Sequence, residues 1–565
     1  MPSTCILQRR SVDSDRALSL QTSANLSPLE AAILSSRGMV AGDAVPVAQL
    51  MDRPMMDLER GAKRILAAIR KQEPIVVVAD YDCDGATACA VSVAGLRALG
   101  AKIDYVVPDR MVHGYGISPS VVDLVLERFP ATRVLITVDN GILGHAGLTH
   151  AANRGLEAVV TDHHLPGDTL PDAVAVINPS RKDCTSGLQK LAGVSVALWL
   201  VVLVKKLLAA QGVNTPPLSF LLAYVTIGTV ADMVPLDAAN RALVVNGMQR
   251  LRRLGDEIPV GVRALIQEAS LPQDCLTTQD IGFGIAPRIN AAGRLETMDA
   301  GIDLLLTTDP KEARRLARLL TETNDQRKAL QKEASDDAAT AIDFAFDDKV
   351  RALVFGSESW HPGIVGLVAS RVKDTYHRPS FIFSLLDGVA KGSGRSIPGL
   401  HLKDALEEVA RRAPGVLAKF GGHAMAAGAT LSSPQSLAQF RDVFDQVARE
   451  RITDSMLDNI LQSDGPMPDL TLESAARLMR HPWGQGFEAP AFDDEAKIRS
   501  VKPLGQSGLH WKVEAAVGGR SNPTTIVLFN QRQPAEGEVV PIYLQPGLNT
   551  WNDRTTLQWI GRLLN

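Results

Sequence analysis

Four apolar runs in the first third of the chain end in side chains that could do chemistry. PIVVVAD (74–80) leads into Asp80, Asp82 and Asp84 of ADYDCDG, and KIDYVVP (102–108) into Asp109 and Arg110. RVLITVD (133–139) ends in Asp139-Asn140, and LEAVVTD (156–162) in Asp162-His163-His164. Taken singly, each is compatible with a polar turn at a strand end, where Asp is common and a His is solvated. If the runs are parallel strands, their carboxyl ends share one edge, where open α/β sheets place a ligand crevice. So many acids would repel one another and raise their own pKa values unless a cation sat among them. Metal binding is the economical explanation. Carboxylates with one or two imidazoles suit Mn²⁺ or Mg²⁺ better than zinc, and several can hold two ions about 3.5–4 Å apart. Such a pair activates a water and stabilises the leaving oxygen in phosphoester hydrolysis. Asp232 in GTVADMVPL is a further candidate, with a capped turn acid as the alternative. DYDCDG also opens like an EF-hand loop, but the twelfth position, which needs a bidentate Glu, is Val91. The calcium reading fails.

The elements that must position these residues follow from the hydrophobic pattern. A fifth run, AVAVINP (173–179), continues the series, and helical patterns such as ATACAVSVAGLRALG separate most of the runs. Continuous β-branched runs alternating with helices predict a doubly wound parallel sheet, an α/β domain over 46–306. LAGVSVALWLVVLVKKLL and PLSFLLAYVTIGTVADMVPL read as helices buried nearly all round. A connector helix over 307–346 opens with Asp309 as N-cap, Pro310 at the first helical position and Glu312 three residues after the cap. A second, smaller α/β lobe is expected over 347–455. Short alternating runs over 456–565 predict a small OB-fold β-barrel. Residues 1–45 read as a tail or adapter that packs late.

Composition excludes several classes. The 565 residues are 45% hydrophobic and 22% charged, with a formal net charge of −4, which rules out coating nucleic acid by bulk charge. The opening MPSTCILQRRSVDSD has no apolar signal region, and no run reaches the ~18 apolar residues of a membrane span, so a cytoplasmic protein with no membrane partner is expected. Five dispersed cysteines without a CxxC pair argue against a disulfide framework or a zinc knuckle.

DYDCDG, VDNG, TDHH and ADMVPL, in this order, resemble the DHH phosphoesterase superfamily, named for the motif at Asp162-His163-His164. PRINAAGRL (287–295), GSGRS (392–396) and GGHAMAAG (421–428) extend the likeness toward its bacterial single-strand-specific 5′→3′ DNA exonucleases. The resemblance implies that Asp82, Asp84, Asp139, His163 and Asp232 ligate two Mn²⁺ or Mg²⁺ ions, with Asp139 bridging. It implies that Asp80 lies beside the first ion as ligand or water-orienting base, and that His164 contacts the scissile phosphate or protonates the leaving oxygen. Adjacent side chains leaving a strand diverge, which fits separate tasks for the two imidazoles, with Asp162 orienting one of them from behind. The chain departs from the pattern at Val78, where many relatives carry a His.

The same likeness implies a substrate with phosphates and bases: single-stranded DNA with a 5′ end. Partners would be a single-strand-binding protein and a helicase in repair and recombination, around a monomeric enzyme. Residues 349–423 hold eleven Lys/Arg against six Asp/Glu, a local excess suited to a strand-tracking groove. GSGRS offers backbone amides, Arg395 and the hydroxyls of Ser393 and Ser396 for a phosphate nest. Gly421, Gly422 and His423 would approach the cleft from the second lobe, and Arg110, Arg288, Asn290 and Arg294 would fix phosphate. Trp511, Trp551 and Trp559, among Lys512, Arg554 and Arg562, are candidates for stacking bases or for barrel core. Two rivals stand beside the exonuclease: a phosphodiesterase of cyclic dinucleotides or short oligonucleotides, and a non-catalytic DNA-binding scaffold.

Overall fold

The computed structural model describes residues 5–564 except 44, 110, 111, 254, 256, 346–349, 506, 507, 552 and 553. Strand Ile75–Ala79 is buried at every position, as an unbroken β-branched run requires when both sheet faces are covered. With Ile103–Val106, Val134–Val138, Glu157–Thr161 and Ala175–Ile177 it forms a five-stranded sheet in which every pairing is parallel. Ile103–Val106 lies on one side of Ile75–Ala79 and Val134–Val138 on the other. The winding therefore reverses between these two neighbours, and the crevice of a topological switch opens over the ends of Ile75–Ala79 and Val134–Val138. Those are the ends that carry Asp80 to Asp84 and Asp139.

Helix Cys83–Ala98 starts directly from the first of these strands and is packed against Gly193–Ala209 and Leu221–Ala231. Its Ala and Gly content permits that close packing, and the two partner helices bury Trp199, Val201, Val225 and Ile227 almost completely. The expected all-round burial is what the structure contains. No helix of the described residues is long and apolar enough to cross a membrane.

The connector helix runs Pro310–Ala345, 36 residues or about 54 Å. Asp309 caps it by accepting the Lys311 N–H at 2.9 Å. Beyond it a mixed sheet is ordered Leu417–Gly422, Ala426–Leu431, Lys391–Arg395, Ser380–Ser384, Leu353–Ser357. GSGRS is here an inner strand, with neighbours on both sides, rather than an open nest. Its glycines are there for packing: a Cβ at Gly392 or Gly394 would lie 2.4 Å from the rings of Phe383 or Phe381.

The C-terminal strands Phe492–Pro503, His510–Val517, Thr524–Phe529, Val539–Trp551 and Arg554–Leu563 close into a barrel. Residues 5–37 belong to this end of the molecule. Strand Cys5–Arg9 pairs in parallel with Asn459–Ser463. Arg37 and Asp464 form a bidentate ion pair, one contact at 2.8 Å, with side chains only 1% and 3% exposed. Removing one member leaves a buried charge without its partner, which costs about 3–5 kcal/mol. R37A is expected to lower the thermal unfolding midpoint, and the double variant R37M/D464L to recover most of the loss; equal midpoints for all three proteins would contradict this account.

Candidate metal centre

Asp82 is the N-cap of helix Cys83–Ala98 and accepts the Gly85 N–H at 3.0 Å. Asp84, the second residue of that helix and 1% exposed, reaches across the crevice and accepts the first amides of the facing helix, Gly193 N–H at 2.7 Å and Val194 N–H at 3.0 Å. That helix has no side-chain cap of its own. Asp84 thus satisfies donors that would otherwise be orphaned, and its place is fixed by two elements.

Asp139 sits at φ +61°, a left-handed conformation that costs free energy for a residue with a Cβ and that clusters at functional sites. Its amide donates to the Thr161 carbonyl at 3.0 Å. A Cβ on Gly193 would lie 2.6 Å from Asp139 Oδ1, so the glycine leaves the space this carboxylate fills. Asp139 Oδ1 is buried and accepts no hydrogen bond, although His163 Nε2 lies 3.2 Å away and His164 Nδ1 4.0 Å away. His163 Nε2 is also 3.5 Å from Asp232 Oδ2 at the end of helix Leu221–Ala231.

Electrostatics match this geometry. Burial, then the Asp82 charge, raises Asp84 to about 7, and burial followed by Asp84 raises Asp232 to about 9. Asp80 and Asp139 are pushed well up, again by burial first and by neighbouring carboxylates second. Burial lowers His163 to about 4, so the ring is neutral, and its hydrogen bond to the Leu191 backbone leaves Nε2 facing the acids. A neutral imidazole nitrogen and an orphaned carboxylate oxygen within a ring of raised acids are the donors a divalent cation takes. Three ligand sets each converge within 4.8 Å: Asp80, Asp82 and Asp139; Asp139, His163 and His164; Asp84, His163 and Asp232. Asp139 belongs to two of them. The residues present fit a divalent metal.

Asp162 stands behind this group. Its Oδ1 accepts the amides of His163 and His164 and lies 2.8 Å from His164 Nδ1, while Oδ2 accepts the Ile142 amide at 2.9 Å. Burial opposes its charge, but these hydrogen bonds, that of His164 foremost, hold its pKa below the ordinary value. Burial likewise opposes charge on His164, yet Asp162 and the surrounding acids outweigh it and raise the imidazole to about 9. His423, at the turn after strand Leu417–Gly422 of the second lobe, lies over His164 with ring centroids 6.4 Å apart. Gly421 and Gly422 end that strand.

Other sequence candidates are engaged in the fold. Asn290 Oδ1 accepts the Cys83 amide at 2.8 Å, and a Cβ on Gly293 would sit 1.9 Å from the Tyr81 carbonyl, so PRINAAGRL grips the ADYDCDG turn from behind. Arg288 donates to Thr321 of the connector helix and to the Gly284 carbonyl. Arg294 is half-buried at the end of helix Ala286–Leu295, and a Cβ on Gly363 of the second lobe would press on its carbonyl. Ser396 is 1% exposed and donates to the Leu400 carbonyl. Ser393 is half-buried in strand Lys391–Arg395, and Arg395 donates to Ser370 Oγ and to the Gly394 carbonyl. Arg110 and the Trp551 side chain lie outside the described residues. Trp559 is core, 4% exposed against Phe492, and half-buried Trp511 donates to the Gln531 carbonyl. The basic excess of the second lobe is partly matched: Arg411 and Arg412 pair with Glu408, Arg412 also with Glu450, and Arg351 with Asp454.

Tyr115 was not singled out from sequence. Its hydroxyl lies 3.3 Å from His164 Nε2, and its ring meets Tyr81 edge-on. The signal was present: Gly114 and Gly116, both at positive φ, turn the loop back over the crevice.

Three family models match in chain order: the DHH family N-terminal domain over residues 74–229, the DHHA1 domain over 347–450 and the RecJ OB domain over 463–562. The single-stranded-DNA-specific exonuclease RecJ of Escherichia coli (strain K12) is 40% identical over 531 residues, spanning 91% of this chain and 90% of that protein. Its counterpart in Bacillus subtilis (strain 168) is 32% identical and spans 96% of this chain and 68% of that one. A crystal structure of RecJ from Thermus thermophilus in complex with Mn²⁺ has a TM-score of 0.80 at 26% identity, covering 99% of this chain and 78% of its own. A structure of exonuclease RecJ bound to manganese, 32% identical, has a TM-score of 0.60 over 71% of this chain and 96% of its own.

The acid cluster sets the pH dependence of metal binding. Unfolded carboxylates ionise near pH 4, whereas Asp84 and Asp232 hold protons to about 7 and about 9 in the folded apoprotein. Their raised pKa values therefore make folding without metal less favourable as pH rises through that window. A cation takes the place of those protons. Added Mn²⁺ should raise the melting temperature more at pH 8 than at pH 6, with proton release visible as a buffer-dependent heat in calorimetry; equal shifts and no released protons would refute it.

Proposed function

The chain belongs to the RecJ family of DHH exonucleases, and from that membership we propose that it degrades single-stranded DNA from the 5′ end to mononucleotides, using two divalent ions. The observation that carries this reading is Asp139, whose unpaired Oδ1 is shared by two converging ligand sets at the switch of the parallel sheet. Asp82, Asp84, Asp139, His163 and Asp232 would hold Mn²⁺ or Mg²⁺, and Asp80, buried beside them, is a ligand or orients water. When bound, such ions activate a water and offset charge on the phosphoryl oxygens.

The protein's own groups do the rest. Against burial, the hydrogen bond to Asp162 favours a protonated His164 ring. Nδ1 is turned to Asp162, which fixes the ring, and Nε2, which faces the Tyr115 hydroxyl at 3.3 Å, would exchange that contact to donate to the scissile phosphate or to the leaving oxygen. His423 brings a second imidazole to the same place from the opposite lobe, so the two rings would bracket the phosphate. Gly421, Gly422, Ser393, Arg395, Arg288, Arg294 and Arg110 remain candidates for holding phosphates along the strand, and the barrel for holding the bases beyond it. A role in repair and recombination, beside a helicase and single-strand-binding protein, fits this substrate.

Linear single strands labelled at the 5′ end should release the label as a mononucleotide in Mn²⁺, while a circular strand stays intact. Equal cleavage of the circle, or activity on a cyclic dinucleotide alone, would overturn the proposal. D139A should abolish turnover and leave DNA binding measurable. H164A should lower kcat by about 10²–10⁴-fold, with Mn²⁺ binding, read by electron paramagnetic resonance, far less affected than in D139A; a near-normal kcat would remove His164 from the chemistry.

A further inference from the structure

Beside the metal centre opens an apolar cleft of about 390 Å³, walled by Val230, Met233, Phe283, Pro287 and Trp483. It touches the centre at two points. Met233 directly follows Asp232, and Asn290, which also lines the cleft, holds the Cys83 amide between Asp82 and Asp84. Its far wall is set by the segment leading into the barrel: Gln485 accepts the Leu236 amide at 2.8 Å, and Trp483 stacks on Phe487 with its indole N–H on the Leu478 carbonyl.

Two large side chains stand open to solvent in this cleft. Phe283 is 81% exposed and rides on the single π-helical turn Ile281–Ile285, and Met233 is 68% exposed at φ +57°. Neither adds to the core, and both depend on local backbone geometry that is uncommon and concentrated at functional sites. The cleft lining contains no Lys or Arg, and its one acid, Glu488, is paired with Arg10, so the lining offers a phosphate backbone no cationic partner. A nucleobase is the part of a nucleotide that is flat, weakly polar and close to the phosphate.

We propose that this cleft is a base-stacking subsite in which Phe283 and Met233 clamp a base of the strand that stays on the polymer, just beyond the scissile phosphate. This rests on the exonuclease reading above. Because every base offers a π-face, the clamp holds the strand without reading its sequence, and it hands the strand from the metal centre toward the barrel. Stacking on Phe283 also fixes how far the strand advances, which makes Phe283 a positioning residue rather than a catalytic one.

The test uses the full chain in EDTA, so that binding is read without cleavage, and oligothymidylates carrying one 2-aminopurine at successive positions from the 5′ end. One position near that end should be quenched on binding, F283A and M233A should lose the quench and bind about five- to tenfold more weakly, and F283W should keep it. Circular dichroism melts on the same variants separate lost stacking from lost folding, since both side chains are exposed. If the wild type degrades linear strands in Mn²⁺ but F283A quenches and binds as the wild type does, the subsite is refuted and the exonuclease reading stands. If the wild type leaves linear strands intact, both fall together.

Discussion

Repulsion among carboxylates that water cannot screen is the constraint on which the rest of this structure depends. Asp80, Asp84 and Asp139 are each under 5% exposed, and Asp232 lies against them. Packing that places like charges there must be held by something stronger than their mutual repulsion. The fold does so with elements that have other reasons to be rigid: a strand buried on both faces, a helix buried along most of its length, and a facing helix whose first amides need Asp84 as their acceptor. Asp82 and Asp84 are thus pinned by main-chain amides, and the group as a whole needs a cation to be ionised together.

This accounts for the density of small residues around the centre. Gly193 leaves room for the Asp139 carboxylate, Gly293 lets a helix press on the Tyr81 carbonyl, and Asn290 fastens the same turn. None of them is a ligand. They convert loop ends, which would ordinarily fluctuate, into parts of the scaffold, and a catalytic group held to within a few tenths of an ångström depends on that support.

The sheet, the buried helices and the connector were legible because hydrophobic periodicity reports burial, and Asp309-Pro310 marks a helix start by capping chemistry alone. The acids of the centre were legible because strand ends of a parallel sheet share an edge, whatever lies between them in sequence. That GSGRS forms an inner strand is not legible in sequence, for a physical reason: a glycine that gives backbone freedom and a glycine that makes room for a ring look the same, and only Phe381 and Phe383, about ten residues earlier, distinguish them. The burial of Ser396 on the Leu400 carbonyl is hidden in the same way. The basic excess of residues 349–423 is smaller in the folded lobe because Glu450 and Asp454, partners of Arg412 and Arg351, lie beyond that stretch. Tyr115 escaped because its flanking glycines signal a turn but not its direction.

The pairing of the first strand with residues 459–463 bears on how the polypeptide is made. Arg37 leaves the ribosome 427 residues before Asp464. At ordinary rates of elongation the amino-terminal segment spends about 20–90 s without the strand and the carboxylate that will bury it. During that interval its strand edge and its arginine lack these two partners, although helices Ser14–Ala24 and Pro28–Ser36 can already pack on each other. The last-made domain is therefore what completes the first-made segment, and chains cut short before residue 459 leave the edge of Cys5–Arg9 without its partner strand.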